Sequence, residues 1–395
     1  MQSLISLGDE VQSPIRRLLL ALGLTVVCAF LICGRRDFSW TQWRAYSREF
    51  IQADGRVVDR TSENRSTSET QAYSLFFSLV ANDRARFDRI LKWTEQNLAR
   101  GDLASHLPAW LWGQRDDASW GIKDPNPASD ADLWIAYTLI EAARLWKHAE
   151  YERIGRAMLT LIKKHEVAEV PGLGLMLLPA PHGFHSVGGV SRLNPSYLPE
   201  FQFRWLAIHD RDGPWAALWQ NHMRAMRSVL SGGVAPDWYM VSAIGNIMID
   251  TQTQGTASYD AIRVALWAGM TPSLSRPAKT SELQRLLKPY ADIVIRLGRP
   301  PERIDTRNGR ISGVAPIGFS AAVLPFLSTF DEDSSEHQRQ RLKSNRVEGN
   351  LGNPPHYYDQ ALAMFGEGWD SGHFRFEQNG QVTPRWEKSC CDWSL

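Results

Sequence analysis

The sequence predicts an all-α fold, an (α/α)6 barrel made of six helical hairpins. Three observations lead there. Apolar residues recur at helical spacing from about residue 39 to about residue 368. The links between the helical stretches alternate between short and long. Few segments alternate strictly between apolar and polar residues, so the strand signal is weak.

The spacing places twelve helices. The first six are Trp40–Ile51, Glu69–Ala81, Arg84–Leu98, Ser129–His148, Tyr151–His165 and Pro195–Ile208. The last six are Pro214–Leu230, Ser258–Gly269, Thr280–Arg296, Ile317–Ser328, Glu332–Ser344 and His356–Phe365. Short links at Asn82–Asp83, Ala149–Glu150, His209–Asp212 and Thr329–Asp331 turn neighbouring helices into antiparallel hairpins. Long links rich in Gly, Pro and Trp run over Gln52–Ser68, Ala99–Ala128, Glu166–Asn194 and Ser231–Ala257. When such hairpins close into a ring, all the long links emerge on one face, where function gathers. The competing architecture is an unclosed stack of helix pairs, but no fixed-length repeat favours it.

Composition narrows the class. The chain has 395 residues, 43% hydrophobic and 22% charged, as expected of a globular protein with a core. Its formal net charge of +1 and lack of long basic blocks give no field for nucleic acid. No Walker loop and no GxGxxG after a strand are present. There are 16 tryptophans. Most should fill the core, and a smaller share should offer flat faces in a binding cleft. The four cysteines, Cys28, Cys33, Cys390 and Cys391, show neither CxxC nor Cys/His metal spacing.

The N-terminus, residues 1–34, reads as an export segment. Arg16 and Arg17 precede an apolar run from Leu18 to Cys33. It is either a cleaved secretory signal or an uncleaved membrane anchor, since no clean A-x-A site follows it. Residues 35–395 then form a single domain that is periplasmic or secreted, with membrane contact only through the N-terminal segment.

Four residues stand at the start of a helix after a long link: Glu69, Asp130, Tyr197 and Asp260. By the alternation of links they point to one face of the ring. Each acid also has a structural reading. Glu69 favours a helix dipole, Ser129 or Asp130 is an N-cap, and Asp260 is a cap paired with Arg263 three residues on. Two acids in Ser129-Asp130-Ala131-Asp132 exceed what a cap requires. Two carboxyl groups facing each other across a cleft have the chemistry to hydrolyse an acetal. One is protonated and donates to the leaving oxygen, and the other is ionised. Such chemistry needs no metal and no organic cofactor.

At these residues the chain resembles glycoside hydrolase family 8, and within it the periplasmic endoglucanases that accompany bacterial cellulose synthesis. The similarity runs from Trp40 to about Phe376. It is carried by DGRVVD (Asp54–Asp59), SETQAYS (Ser68–Ser74), LPAWLWG (Leu107–Gly113) and ASDADLWIAYTLIEAARLW (Ala128–Trp146). It continues through VPGLGLMLLP (Val170–Pro179), NPSYLPE (Asn194–Glu200), APDW (Ala235–Trp238), SYDAIRVALWAGM (Ser258–Met270) and PIGFSAAVLPFL (Pro316–Leu327).

The resemblance implies an (α/α)6 barrel and an inverting endo-β-1,4-glucanase acting on a β-1,4-glucan chain, with the cellulose synthase/export complex as a partner. It implies Glu69 as general acid, Asp260 as general base and Asp130 as the group that holds the distorted central sugar. Tyr197 would steady the catalytic water. Tyr259 and Arg263 would organise the base, and Trp110, Trp112 and Trp120 would be stacking sites. Two departures stand out. Thr70 replaces the Gly expected after the acid, which should narrow the cleft there, and Glu200 replaces a second Pro in NPSYLPP. Related polymers such as chitosan, lichenan and xylan remain alternatives, as does a non-catalytic glucan-binding subunit.

Overall fold

The computed structural model describes residues 40–273 and 280–387. Within it Trp40–Glu387 forms one compact unit. The export segment and all four cysteines lie outside the described residues. No helix among the described residues is long and apolar enough to cross a membrane.

Six helices form the inner wall: α2 (Ser68–Val80), α4 (Ser129–Trp146), α6 (Glu200–His209), α8 (Ala261–Met270), α11 (Ile317–Leu327) and α13 (Tyr357–Asp370). Their sequences explain the position. In α2, α8 and α11 nearly every residue is buried, so no face is left polar. The outer helices are α1 (Thr41–Phe50), α3 (Arg84–Leu98), α5 (Ala149–His165), α7 (Trp215–Val229), α9 (Glu282–Leu286), α10 (Lys288–Leu297) and α12 (Glu332–Ser344). They keep one apolar stripe, as in α5, where Tyr151, Ile154, Met158, Leu159 and Ile162 face inward.

The ring closes on aromatic rings at its axis. Trp134 of α4 packs on Phe76 of α2 (4.9 Å between centroids), Phe201 of α6 (5.8 Å), Trp267 of α8 (5.5 Å) and Phe365 of α13 (5.1 Å). The first and last helices meet through Tyr46 and Tyr357, 6.2 Å apart. This contact distinguishes a closed ring from an open stack. Two glycines permit the closest helix approaches. A Cβ on Gly269 would lie 2.3 Å from the Phe326 nitrogen, and one on Gly366 would lie 1.9 Å from the Ala321 oxygen.

Three expected helices begin or divide differently from those observed, proline explaining two of them, and the last expected helix runs five residues further, to Asp370. The stretch 280–296 divides into α9 and α10 at Leu287, because Pro289 in the first turn of α10 has no N–H to continue the ladder. The stretch 195–208 begins as a 3₁₀ turn, Pro195–Tyr197, and α6 starts only after Pro199. Tyr197 therefore stands before the helix rather than inside it. The third, α8, starts at Ala261 with Asp260 as its N-cap, so the turn Ser258–Asp260 is not helical.

The long links also hold more strand than the sequence signal suggests. Fifteen strands of two to five residues form six small antiparallel sheets among the described residues. Such runs are too short to display a period of two. They tie helix starts to neighbouring links. Strand β1 (Ser66–Thr67) pairs with β2 (Leu111–Gln114), with Thr67 opposite Leu111, and β2 pairs with β3 (Trp120–Asp124). Strands β4 (Val167–Val170) and β5 (Gly174–Leu177) form a hairpin. Strand β6 (Ser191–Leu193) pairs with β7 (Tyr239–Val241), with Leu193 opposite Tyr239. The first of these pairings brings the LPAWLWG segment beside Glu69, and the last brings Trp238 beside Tyr197.

Candidate active site

Each of the three expected acids stands at a helix N-terminus; Glu69 and Asp260 make no capping bond there, whereas Asp130 Oδ1 accepts the Ala131 N–H at 2.9 Å. At α2 the cap is Thr67, whose hydroxyl accepts the Thr70 N–H at 3.3 Å. Thr70 reciprocates, accepting the Thr67 N–H at 3.1 Å. The β-branched residue that departs from the expected Gly thus completes a capping box. Its hydroxyl turns back to the backbone, donating to the Thr67 carbonyl at 2.7 Å. At α4 the N-cap is Ala128, without a side-chain cap. At α8 the Asp260 side chain makes no capping bond either. The cap there comes from earlier in the link that leads into α8. Asp237 Oδ1 accepts the N–H groups of Ser258 (2.8 Å), Asp260 (3.1 Å) and Ala261 (2.8 Å).

Two of these carboxylates, Asp130 and Asp260, meet around Arg263. Its Nη2 donates to Asp260 Oδ1 at 2.6 Å and to Ser196 Oγ at 2.9 Å. Its Nη1 donates to Asp130 Oδ2 at 3.2 Å and to the Tyr73 hydroxyl at 3.0 Å. One buried guanidinium thereby joins α2, the turn before α6, α4 and α8. A planar fork of five donors suits this task in a way that a single ammonium does not. The second oxygen of Asp260 accepts the Trp238 indole N–H at 3.0 Å. Glu69 is held differently, with Oε1 accepting the Trp110 indole N–H at 3.1 Å. Burial, then the neighbouring Glu69 charge, raise the Asp130 carboxyl above the ordinary carboxylate range, against the opposing pull of Arg263.

Glu69 and Asp260 both line one open cleft of about 560 Å³, with Thr70, Tyr73, Trp110, Tyr259, Arg263 and Tyr358 among its walls. Tyr259 is 44% exposed, and its ring stands edge-on to Phe319. Its backbone carbonyl accepts the Tyr358 hydroxyl at 2.5 Å. The Tyr197 ring lies 5.9 Å from Trp238 and 5.7 Å from the Arg263 guanidinium carbon. Trp112 and Trp120 are brought to each other rather than to the acid. They stack at 5.2 Å on the β2–β3 hairpin, with the Arg56 guanidinium 4.1 Å and 4.8 Å from their ring centres. Glu200, the other departure, forms a 2.5 Å ion pair with Arg204, whose guanidinium also donates to the Pro272 carbonyl.

Residues 21–372 match the model of the glycosyl hydrolases family 8. The chain belongs to this family. The family 8 chain is similar to an endoglucanase of Escherichia coli O157:H7, 42% identical over 355 residues, 90% of this chain and 93% of the relative. An endoglucanase of Xanthomonas axonopodis pv. citri is 43% identical over 89% of this chain and 91% of its own length. The crystal structure of an endo-1,4-D-glucanase from Vibrio fischeri ES114 superposes with a TM-score of 0.82 at 37% identity, covering 89% of this chain and all of that one. A reducing-end-xylose releasing exo-oligoxylanase, at 18% identity and a TM-score of 0.62, shares the fold. The protein is therefore a glycoside hydrolase with the (α/α)6 barrel of its family.

Tyr73, Ser196, Asp237 and Trp238 join the expected residues at the site. All four lie in motifs quoted for the resemblance, SETQAYS, NPSYLPE and APDW. The signal was present, but spacing alone does not say which carboxylate each residue reaches.

Proposed function

We propose that this family 8 enzyme cleaves β-1,4-glucan internally with inversion, using Glu69 as general acid and Asp260 as general base. The observation that carries this is the unequal support of two carboxyl groups in one cleft. Asp260 accepts from a guanidinium and an indole, one donor on each oxygen, as suits a group that works as an anion. Glu69 accepts only from neutral donors, the Trp110 indole at Oε1 (3.1 Å) and the Ser68 hydroxyl at Oε2 (a long 3.5 Å), so no cation holds it ionised and Oε2 can carry the proton for the leaving group. Asp130, joined to the base through Arg263, holds the sugar between them, and Tyr197 steadies the attacking water.

The endoglucanase names of the relatives support a glucan substrate. The proposal extends to an exported enzyme acting beside a cellulose synthase/export complex, supported by Arg16, Arg17 and the apolar run that follows them.

The test is reducing-end release from carboxymethylcellulose by the wild type, Glu69→Gln and Asp260→Asn. Loss of about 10²–10⁴-fold in both variants is expected for removal of an acid or a base. Cleavage that persists in both rejects the assignment. The anomeric configuration of the first product, followed by NMR, checks inversion.

A further inference from the structure

We propose that Asp237 and Trp238 together form a positioning element for Asp260, one residue fixing its backbone and the other its carboxylate. The proposal rests on the reading of Asp260 as the base.

A base that activates water must present one lone pair along a fixed line. Asp260 is poorly placed to do this unaided. It sits at the N-cap of α8, at the end of a non-helical turn, and its side chain is 30% exposed. Arg263 restrains only Oδ1, and a carboxylate held by one oxygen still swings about that bond.

The Ser231–Ala257 link supplies what is missing. Asp237 gathers three successive-turn N–H groups, those of Ser258, Asp260 and Ala261, onto one oxygen, so the backbone carrying Asp260 is pinned. The next residue, Trp238, donates to Oδ2. With a donor on each oxygen the carboxylate plane is set, and lone pairs remain for water.

Trp238 is itself immobilised. Phe184 stacks on the indole at 5.6 Å with an interplanar angle of 18°. The Arg192 guanidinium carbon lies 4.0 Å from the ring centre. Arg192 is in turn locked by two bonds to the buried Asp250, at 2.8 and 3.3 Å. The column Phe184–Trp238–Arg192–Asp250 sets an ion pair and one aromatic ring against one indole. Core packing alone accounts poorly for this, because Trp238 is only half-buried.

Trp238→Phe keeps the ring between Phe184 and Arg192 and deletes the donor. Asp237→Asn keeps an oxygen that accepts the three N–H groups, and Asp237→Ala removes it. Measured as kcat and KM on a soluble β-1,4-glucan, Trp238→Phe should lower kcat about tenfold with KM within about twofold. Asp237→Ala should lose about a hundredfold in kcat, and Asp237→Asn should recover most of that loss. Thermal unfolding run alongside reports folding. If Asp237→Ala does not fold, Trp238→Phe and Asp237→Asn carry the test. A Trp238→Phe kcat within about twofold of wild type overturns the proposal, as does an Asp237→Asn enzyme that loses about a hundredfold in kcat. Asp260→Asn in the same assay separates the two readings. An inactive Asp260→Asn beside a normal Trp238→Phe rejects the positioning element alone. An active Asp260→Asn rejects the base and the positioning element with it.

Discussion

The Trp110 indole donates to Glu69 at 3.1 Å across 41 residues of chain. The contact exists because β1 and β2 pair in a register that sets Thr67 opposite Leu111, next to both residues. It gives the acid a fixed direction without supplying charge. Trp110→Phe should therefore lower kcat about tenfold and leave the unfolding temperature unchanged, as measured by steady-state hydrolysis and calorimetry.

Among the described residues Arg263 is the one cation that touches both Asp130 and Asp260, at 3.2 and 2.6 Å. Lysine at this position keeps the charge but loses the fork. Arg263→Lys should cost at least about 10²-fold in kcat, because two carboxylates and Ser196 are released together. The comparison is kcat of Arg263→Lys against wild type, with circular dichroism showing that the helices persist.

Thr70 gives a stability prediction. Thr70→Gly restores the residue expected from the family pattern and breaks the reciprocal cap with Thr67. Chemical denaturation should show a loss of about 1 kcal/mol, from the cap and from the added backbone entropy of Gly. Activity should stay within a few-fold of wild type, since Thr70 turns its hydroxyl to the backbone rather than to the cleft.

Asp132 and Glu166 form a second buried acid pair, behind the cleft. Both are fully buried, and none of their four oxygens has a donor among the described residues. A single proton shared between them provides one. Burial first, and then each group's acidic neighbours, raise both carboxyls above the ordinary range. The folded state thus binds more protons than the unfolded chain. The pair's contribution is full at low pH and is lost as pH rises from the ordinary carboxylate range to the raised one. Glu166→Gln supplies a permanent donor and removes one of these titrations. Between about pH 5 and about pH 8 the wild type should lose more in unfolding temperature than Glu166→Gln does. Equal slopes in the two proteins would show that no proton is shared.

Much of this molecule can be read along the chain. Helix spacing and alternating link lengths predict the barrel, since amphipathic stripes and short turns are local properties. The same alternation places Glu69, Asp130, Tyr197 and Asp260 on one face, and the resemblance names their roles. Local propensity misleads where proline intervenes, at Pro199 and Pro289, and it misses strands of two or three residues that exist only because a neighbouring link pairs with them.

The tertiary structure alone decides who caps the helix at Asp260 and who holds the acids. Glu69 and Asp260 look like ordinary helix starts in sequence, and Thr70 looks like an obstruction. Only after folding does Asp237 reach the start of a helix 24 residues away in the chain. Only then does Trp110 reach Glu69, and one guanidinium bridge Tyr73, Asp130, Ser196 and Asp260. The division has a physical cause. Helix formation is governed by neighbours within about four residues, whereas the direction of a side chain in the cleft depends on partners that ring closure alone brings together.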